Sequence, residues 1–297
     1  MLINMKQMLE IAKKQGFAVG AYNISDNELF QTVVETAEEN LSPAIIEVHP
    51  DELTFAKDDF FKYVVARLSN SNIPFVLHLD HGDSMISVLR AIRCGFTSVM
   101  IDGSLLPFEE NLKITKEVVD ICHLLGILVE GELGTIGSMG ATMEEGVDGI
   151  TYTDPKDAKH FVETTGVDTL AVAIGTAHGI YPKGFEPKLN MDVLKSITQE
   201  ISIPLVLHGG SNNPDSEISE AVRLGISKVN ISSDFKFAIY KKLREVLSTR
   251  EGWDPNNIFP ECMIEGKKVV KHKMVLFDSI NKAEYYQKLT PWRQEFL

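Results

Sequence analysis

Three of the eight histidines in this chain stand at the same kind of place. His81 lies in His78-Leu79-Asp80-His81-Gly82, after the apolar run Ile73-Pro74-Phe75-Val76-Leu77. His178 lies in Gly175-Thr176-Ala177-His178-Gly179, after the apolar run that ends at Ile174. His208 opens His208-Gly209-Gly210-Ser211, after Ile203-Pro204-Leu205-Val206-Leu207. Each time a buried-type strand delivers a histidine followed by glycine. Imidazoles drawn from three separate strands suit a metal ion with an open coordination position. Zinc is the natural occupant, and such a centre polarises a carbonyl or acidifies a bound water. Side chains alternate along a strand, so His78 and Asp80 share one face of their segment. His81 starts on the other face, and Gly82 lets the chain turn and bring it round.

The elements that must position these residues form a unit that recurs about every 30 residues, a βα repeat. An apolar, β-rich run alternates with a stretch of helical period. The pattern predicts strands at 17–22, 43–48, 74–79, 97–101, 127–131, 169–174, 204–207 and 227–231. It predicts helices at 26–39, 58–68, 84–93, 108–125, 155–165, 191–200, 216–224 and 234–247. Eight βα units with strands too apolar for a one-sided sheet imply an α/β fold, a (β/α)8 TIM barrel. No Gly-x-Gly-x-x-Gly follows the first strand, which argues against a doubly wound dinucleotide fold. The expected organisation is a barrel domain over 1–248 and a C-terminal extension over 249–297. Trp253, Tyr285, Tyr286 and Trp292 mark the extension as packed on the barrel or at a subunit interface. The glycine-rich stretch from Glu132 to Thr153 is too long for a passive connection and is expected to move over a bound ligand.

Barrel enzymes carry their chemistry at the carboxyl ends of the strands. Those ends read Asn23, Asp80 and His81, Asp102, Glu130 and Glu132, His178, His208 and Asn230. Asp102 and Glu132 offer hard oxygens for a second divalent or a monovalent cation. Gly209-Gly210-Ser211 and Asn230-Ile231-Ser232-Ser233 offer backbone N–H groups, hydroxyls and a helix start, which suit a phosphate.

Composition excludes several classes. The chain has 297 residues, 44% of them hydrophobic, and a formal net charge of −13. That charge argues against nucleic acid. No apolar run reaches the roughly 18 residues of a membrane span. The start, Met1-Leu2-Ile3-Asn4-Met5-Lys6, lacks the plan of a signal peptide. Cys94, Cys122 and Cys262 are scattered and odd in number, so no disulfide framework follows and the expected location is the cytoplasm.

Together these residues resemble the class II, metal-dependent ketose-bisphosphate aldolases, closest to the tagatose- and fructose-bisphosphate branch. The resemblance covers roughly residues 1 to 247 and is carried by Ala18-Val19-Gly20-Ala21-Tyr22-Asn23, Leu79-Asp80-His81-Gly82, Ile101-Asp102-Gly103-Ser104, Glu130-Gly131-Glu132-Leu133-Gly134, Ala177-His178-Gly179, Leu207-His208-Gly209-Gly210-Ser211 and Lys228-Val229-Asn230-Ile231. It implies that His81, His178 and His208 hold a catalytic zinc ion and that Asp80 is the acid/base at the hydroxyl formed with the new C–C bond. Asp102 and Glu132 match a second-cation site, and Asn23 a substrate contact. Gly179, Gly209, Gly210, Ser211, Asn230, Ile231, Ser232 and Ser233 match the dihydroxyacetone phosphate site. Glu145, with Glu144 beside it, matches the loop glutamate that exchanges the C1 proton.

The implied reaction is cleavage of a fructose- or tagatose-1,6-bisphosphate type of ketose by a homodimer or homotetramer. The alternatives are another phosphorylated sugar or an inositol-derived substrate, a zinc-barrel hydrolase, and a silent metabolite-binding paralogue. Two places depart from the pattern. Glu47-Val48-His49-Pro50 stands where the family often carries serine, and Pro182 separates Tyr181 from Lys183. Lys228, inside the eighth strand, shows no mark in the sequence of the desolvated mouth position that a Schiff-base lysine needs.

Overall fold

The computed structural model describes residues 1–139, 151–179 and 187–292. Eight parallel strands close into a barrel: β1 (Val19–Asn23), β2 (Ala44–Val48), β3 (Phe75–Gly82), β4 (Ser98–Ile101), β5 (Leu128–Leu133), β7 (Thr169–Val172), β9 (Leu205–Leu207) and β10 (Ile226–Ile231). Their order around the barrel is β1-β10-β9-β7-β5-β4-β3-β2. The remaining two, β6 (Gly137–Met139) and β8 (Ala177–Gly179), pair in parallel outside the barrel wall. The helices between barrel strands are α2 (Asn27–Glu39), α3 (Pro50–Ala56), α4 (Asp58–Ser69), α5 (Met85–Arg93), α6 (Phe108–Leu124), α7 (Pro155–Thr165), α8 (Met191–Glu200) and α9 (Asp215–Arg223), with α10 (Ser233–Thr249) after the last strand. The (β/α)8 barrel predicted from the repeat is therefore the fold, and helices 155–165 and 191–200 fall where the periodicity put them. No helix among the described residues is long and apolar enough to cross a membrane.

Besides α3, β6 and β8, two elements that pack on the barrel go beyond the sequence reading. Helix α1 (Met5–Gln15) precedes the first strand. Its signal is a capping box, in which Asn4 and Gln7 exchange side-chain and backbone hydrogen bonds. Met5, Met8, Leu9 and Ala12 pack against Val19, Ala21, Ile45 and Val76 and close the amino-terminal end of the barrel. The second is α11 (Pro255–Leu276), the main element of the tail. It lies so close to α10 and α2 that a Cβ on Gly266 would stand 2.6 Å from Ile239 and 3.0 Å from Thr32. Farther on, Tyr286 is buried and donates to the carbonyl of Met8 at 3.0 Å, whereas Trp253 is 88% exposed.

Alternation places residues two apart on the inner face of each barrel strand. The inward series include Ile45 and Glu47 on β2, Val76, His78 and Asp80 on β3, Leu128, Glu130 and Glu132 on β5, and Lys228 and Asn230 on β10. An apolar layer at the amino-terminal end is thus followed by a charged layer and then by the carboxyl-end residues.

Candidate metal and substrate site

The local structure of β3 decides where His81 points. Pairing with β4 is regular at His78↔Ser98 and Leu79↔Val99, then jumps to Gly82↔Ile101, one extra residue on the β3 side. At this bulge His81 adopts φ +46°, a left-handed conformation that costs an L-residue about 1–2 kcal/mol. The extra residue rotates the imidazole off the outer face and into the barrel mouth. Gly82 makes this feasible, because a Cβ there would lie 2.3 Å from the carbonyl oxygen of Met100. The predicted strand ended at Leu79; it runs on to Gly82 because the bulge resumes the ladder.

His81, His178 and His208 come together. A ligand atom from each lies within 4.8 Å of those of the other two. Ring centroids are 4.7 Å apart for His81 and His208 and 5.1 Å for His81 and His178. Outer hydrogen bonds define two of the rings. His81 Nδ1 is 2.7 Å from Asp102 Oδ2, and His208 Nε2 is 2.8 Å from Glu130 Oε1. Carboxylates only accept, so both of those ring nitrogens carry the proton. The other two nitrogens, His81 Nε2 and His208 Nδ1, then face each other at 3.0 Å with lone pairs inward. Such a pair needs a shared cation or proton. Burial opposes charge on His81, but Asp80, Asp102 and Glu132 outweigh it and hold the imidazolium well above its ordinary range. Glu132 Oε2 is buried without a hydrogen-bond partner, 3.6 Å from His208 Nδ1. Burial first, then the charge of Asp102, pushes that carboxyl well up. Three imidazoles and an unsatisfied carboxylate oxygen form a donor set that fits a divalent ion such as zinc.

Asp102, expected as a ligand of a second cation, is held as an outer partner of His81 and also accepts from the backbone of Ser104 at 2.9 Å. With His81 and Glu132 it remains within reach of a shared ion. Burial would raise its pKa, but the hydrogen bond and charge of His81 keep it low.

One layer down lies a group that sequence reasoning missed. Lys228 Nζ sits 2.6 Å from Glu47 Oε1 and 2.9 Å from Glu130 Oε2, with all three side chains fully buried. Glu130, read from the sequence as a strand-end residue, belongs to this layer because β5 continues to Leu133. Lys228 is desolvated after all. Burial alone would lower its pKa, but Glu130, Glu47 and Asp80 raise it, so the amine stays charged and cannot serve as a Schiff-base nucleophile. Beside it, His78 is hydrogen-bonded to Ser98 at 2.9 Å. Burial, then the charge of Lys228, lowers the His78 pKa to about 3. Glu47, His78 and Asp80 are close enough to share a metal ion, but the ammonium of Lys228 already supplies the cation there.

Asp80 faces the triad, 3.9 Å from His81 Nε2. Asn23 Nδ2 donates to its Oδ2 at 2.8 Å and Asn230 Nδ2 to its Oδ1 at 3.1 Å. Burial would raise its pKa, yet His81, His208, Lys228 and the Asn23 amide together hold it low, so the group is a carboxylate. The amide oxygens of Asn23 and Asn230 are buried with no hydrogen-bond partner, two acceptors next to a base.

The two predicted phosphate turns are adjacent. Gly210 N–H donates to Asn230 O at 3.0 Å, and the Ser211 hydroxyl accepts from the backbone of Ser232 at 3.3 Å and of Asp234 at 3.4 Å. Helix α10 is thus capped by Ser211, from the neighbouring turn. Asn213 Nδ2 pins Gly209 O at 2.6 Å. Lys273, from α11, holds Asp234 at 2.8 Å, and Asp234 in turn accepts from Asn212 N–H, so the tail braces this corner. A small cavity is lined by Asn23, Asp80, Gly179, Ser211, Asn230 and Ser233, together with Gly209, Ser232 and the histidines His81 and His178. Gly210 and Ile231 stand behind its wall. A Cβ on Gly210 would meet Val229 at 2.5 Å and Asn230 O at 2.9 Å, so the close packing against the strand already requires glycine there. Ile231 lies in the core with Phe235 and offers the site only its backbone. Glu144 and Glu145 lie outside the described residues, as do Tyr181, Pro182 and Lys183.

Comparison with known proteins agrees with this geometry. A family model described as "Fructose-bisphosphate aldolase class-II" matches residues 3–282, which takes the likeness through most of the tail. The chain is similar to the fructose-bisphosphate aldolase of Staphylococcus epidermidis, at 40% identity over 288 residues, covering 95% of this chain and 99% of that one. Among solved structures, the YdjI aldolase of Escherichia coli K12 superposes with a TM-score of 0.85 at 36% identity, covering 95% of this chain and all of the other. The fructose-bisphosphate aldolase of Campylobacter jejuni does so with a TM-score of 0.81 at 25% identity, covering 95% and 97%. A barrel of this order, with three histidines gathered at its mouth and a family match over nearly its whole length, places the chain in the class II fructose-bisphosphate aldolase family, a family of metal-dependent lyases.

Proposed function

We propose that this protein is a zinc-dependent aldolase that reversibly cleaves a phosphorylated ketose into dihydroxyacetone phosphate and an aldehyde. His81, His178 and His208 are its metal ligands, Asp80 is its acid/base, and Glu145 is the candidate for the C1 proton exchange. The observation that carries the reading is the pair of imidazole nitrogens 3.0 Å apart, each ring held by an outer carboxylate, beside the carboxylate of Asp80. When bound, the cation supplies Lewis acidity at the ketone.

The chain's own residues do the rest. In cleavage Asp80 takes the proton of the C4 hydroxyl, and in condensation it returns it. Asn23 and Asn230 keep Asp80 ionised and oriented, and their free amide oxygens accept from substrate hydroxyls. The turns at 209–211 and 230–233, with the α10 N-terminus, bind the phosphate. Asp102 and Glu132 are the proposed ligands of a second cation, and the enzyme works as a cytoplasmic homo-oligomer.

The test is metal analysis combined with condensation of dihydroxyacetone phosphate with aldehydes, before and after chelation. Activity is expected to vanish with the metal and return with zinc. Inactivation by borohydride in the presence of substrate, with a lysine adduct, would overturn the metal mechanism.

A further inference from the structure

We infer that the aldehyde half of the substrate is a polyhydroxy aldehyde without a phosphate, received in the cavity beside His49 and Asp51; this rests on the aldolase reading above. His81 and His178 are walls of two spaces. On one side lies the small cavity of the phosphate turns. On the other lies a cavity of about 380 Å³ whose polar wall is made by His49, Asp51, Asp83, Asp102, Ser104 and Glu132. Its apolar wall includes Leu105 and Ile136.

The two sides differ in charge. The first has glycine turns, hydroxyls and the amino-terminal end of α10. The nearby ammonium of Lys236 donates to Ser232 Oγ at 3.0 Å and pairs with the buried Glu52 at 2.5 Å, so it too is committed to that side. The second side carries Asp51 and Asp83, in addition to Asp102 and Glu132 at the histidine cluster, and among the described residues no lysine or arginine lines it. A phosphate dianion placed there would face like charge, an arrangement that rejects partners.

His49 is held in place by hydrogen bonds to its own helix. It caps α3, and its Nδ1 accepts from the backbone of Asp51 at 3.2 Å, so the ring proton belongs to Nε2. Its own N–H donates to Glu52 Oε2 at 2.9 Å. The chain from His49 through Glu52 and Lys236 to Ser232 ties this wall to the phosphate turn. A fixed donor beside carboxylate acceptors matches the hydroxyls of a sugar aldehyde. This segment is also where the chain departs from the serine-bearing pattern of the family.

The test uses the zinc-loaded full chain and measures kcat/KM for condensation of dihydroxyacetone phosphate with D-glyceraldehyde, L-glyceraldehyde and D-glyceraldehyde 3-phosphate. One of the unphosphorylated aldehydes is expected to be preferred by roughly tenfold or more. Preference for the aldehyde phosphate would overturn the inference. Asp51→Lys is expected to raise the ratio of aldehyde-phosphate to aldehyde use by roughly fivefold or more. That ratio is taken on one preparation and does not depend on how much of it folds or loads metal. An unchanged ratio would count against the assignment of this wall. Exchange of the C1 proton of dihydroxyacetone phosphate with solvent needs no aldehyde and separates the two readings. Exchange without condensation of any of the three aldehydes sinks this inference alone, whereas loss of exchange in the wild type sinks the aldolase reading beneath it.

Discussion

Glu130→Gln isolates the role of the charged layer beneath the metal site. Glu130 Oε1 accepts from His208 at 2.8 Å and from Lys228 at 3.1 Å, and Oε2 accepts from Lys228 at 2.9 Å. Glutamine has the same shape but only one acceptor oxygen. Its best orientation keeps that oxygen on His208, which turns the amide NH2 against the ammonium of Lys228, donor to donor. One charge-assisted hydrogen bond, worth about 1.5–3 kcal/mol, is lost outright. Lys228 keeps Glu47 at 2.6 Å, so the full cost of about 3–5 kcal/mol for stranding a buried charge is not reached. The expected destabilisation is therefore about 2–4 kcal/mol, survivable within a total of about 5–15 kcal/mol.

Because the outer bond to His208 weakens, zinc affinity should also fall by about 10–100-fold. Urea unfolding of the metal-free protein reads the first effect, and competition with a chromophoric chelator reads the second. Lys228→Met, which leaves Glu47 and Glu130 without their shared cation, should be worse than Glu130→Gln. The double variant should cost less than the sum, since the two residues share one network. Wild-type stability together with wild-type zinc affinity in Glu130→Gln would refute the argument that this carboxylate orients His208.

Three further outcomes are expected. Asp80→Asn should retain zinc but lose about 10²–10⁴-fold in kcat, while His81→Ala should lose metal and activity together; near-normal turnover in Asp80→Asn would exclude it as the acid/base. Ser211→Ala should weaken binding of the phosphorylated ketone by roughly tenfold, as judged from KM and from protection by inorganic phosphate, and should cost about 1 kcal/mol through the lost cap on α10. Unphosphorylated dihydroxyacetone should be a poor substrate whose use scarcely changes, and equal losses on both ketones would make the turn structural. His78 has a folded pKa of about 3 against an ordinary 6.5, so the unfolded chain binds the extra proton between these values. Its contribution to stability is then present above pH 6.5 and lost as the pH falls toward 3. His78→Asn should flatten the urea midpoint against pH in that window, and an unchanged slope would show that other groups control acid unfolding.

Much of this molecule is local and could be read from the chain. The alternation of apolar runs with stretches of helical period depends on neighbours in sequence, and it gave eight strands, their helices and the (β/α)8 closure. The recurrence of histidine before glycine singled out three residues that do come together, and the two glycine- and serine-bearing turns are adjacent. What the chain concealed is non-local. Gly82 allowed for a turn that brings His81 round, but nothing in Leu79-Asp80-His81-Gly82 announces that an extra residue against β4 produces it, because a bulge is a property of two strands. Lys228 looked like an ordinary residue of a buried strand; only barrel closure puts Glu47 and Glu130 around it and makes it a fixed cation. The sequence does not show that the missing side chain of Gly210 makes room for Val229 and Asn230. Ser211 caps α10 across a gap of some twenty residues that no spacing rule covers. The periods of helix and strand are set by backbone geometry within a few residues, whereas register, closure and the partners of buried charges are set by contacts between distant segments.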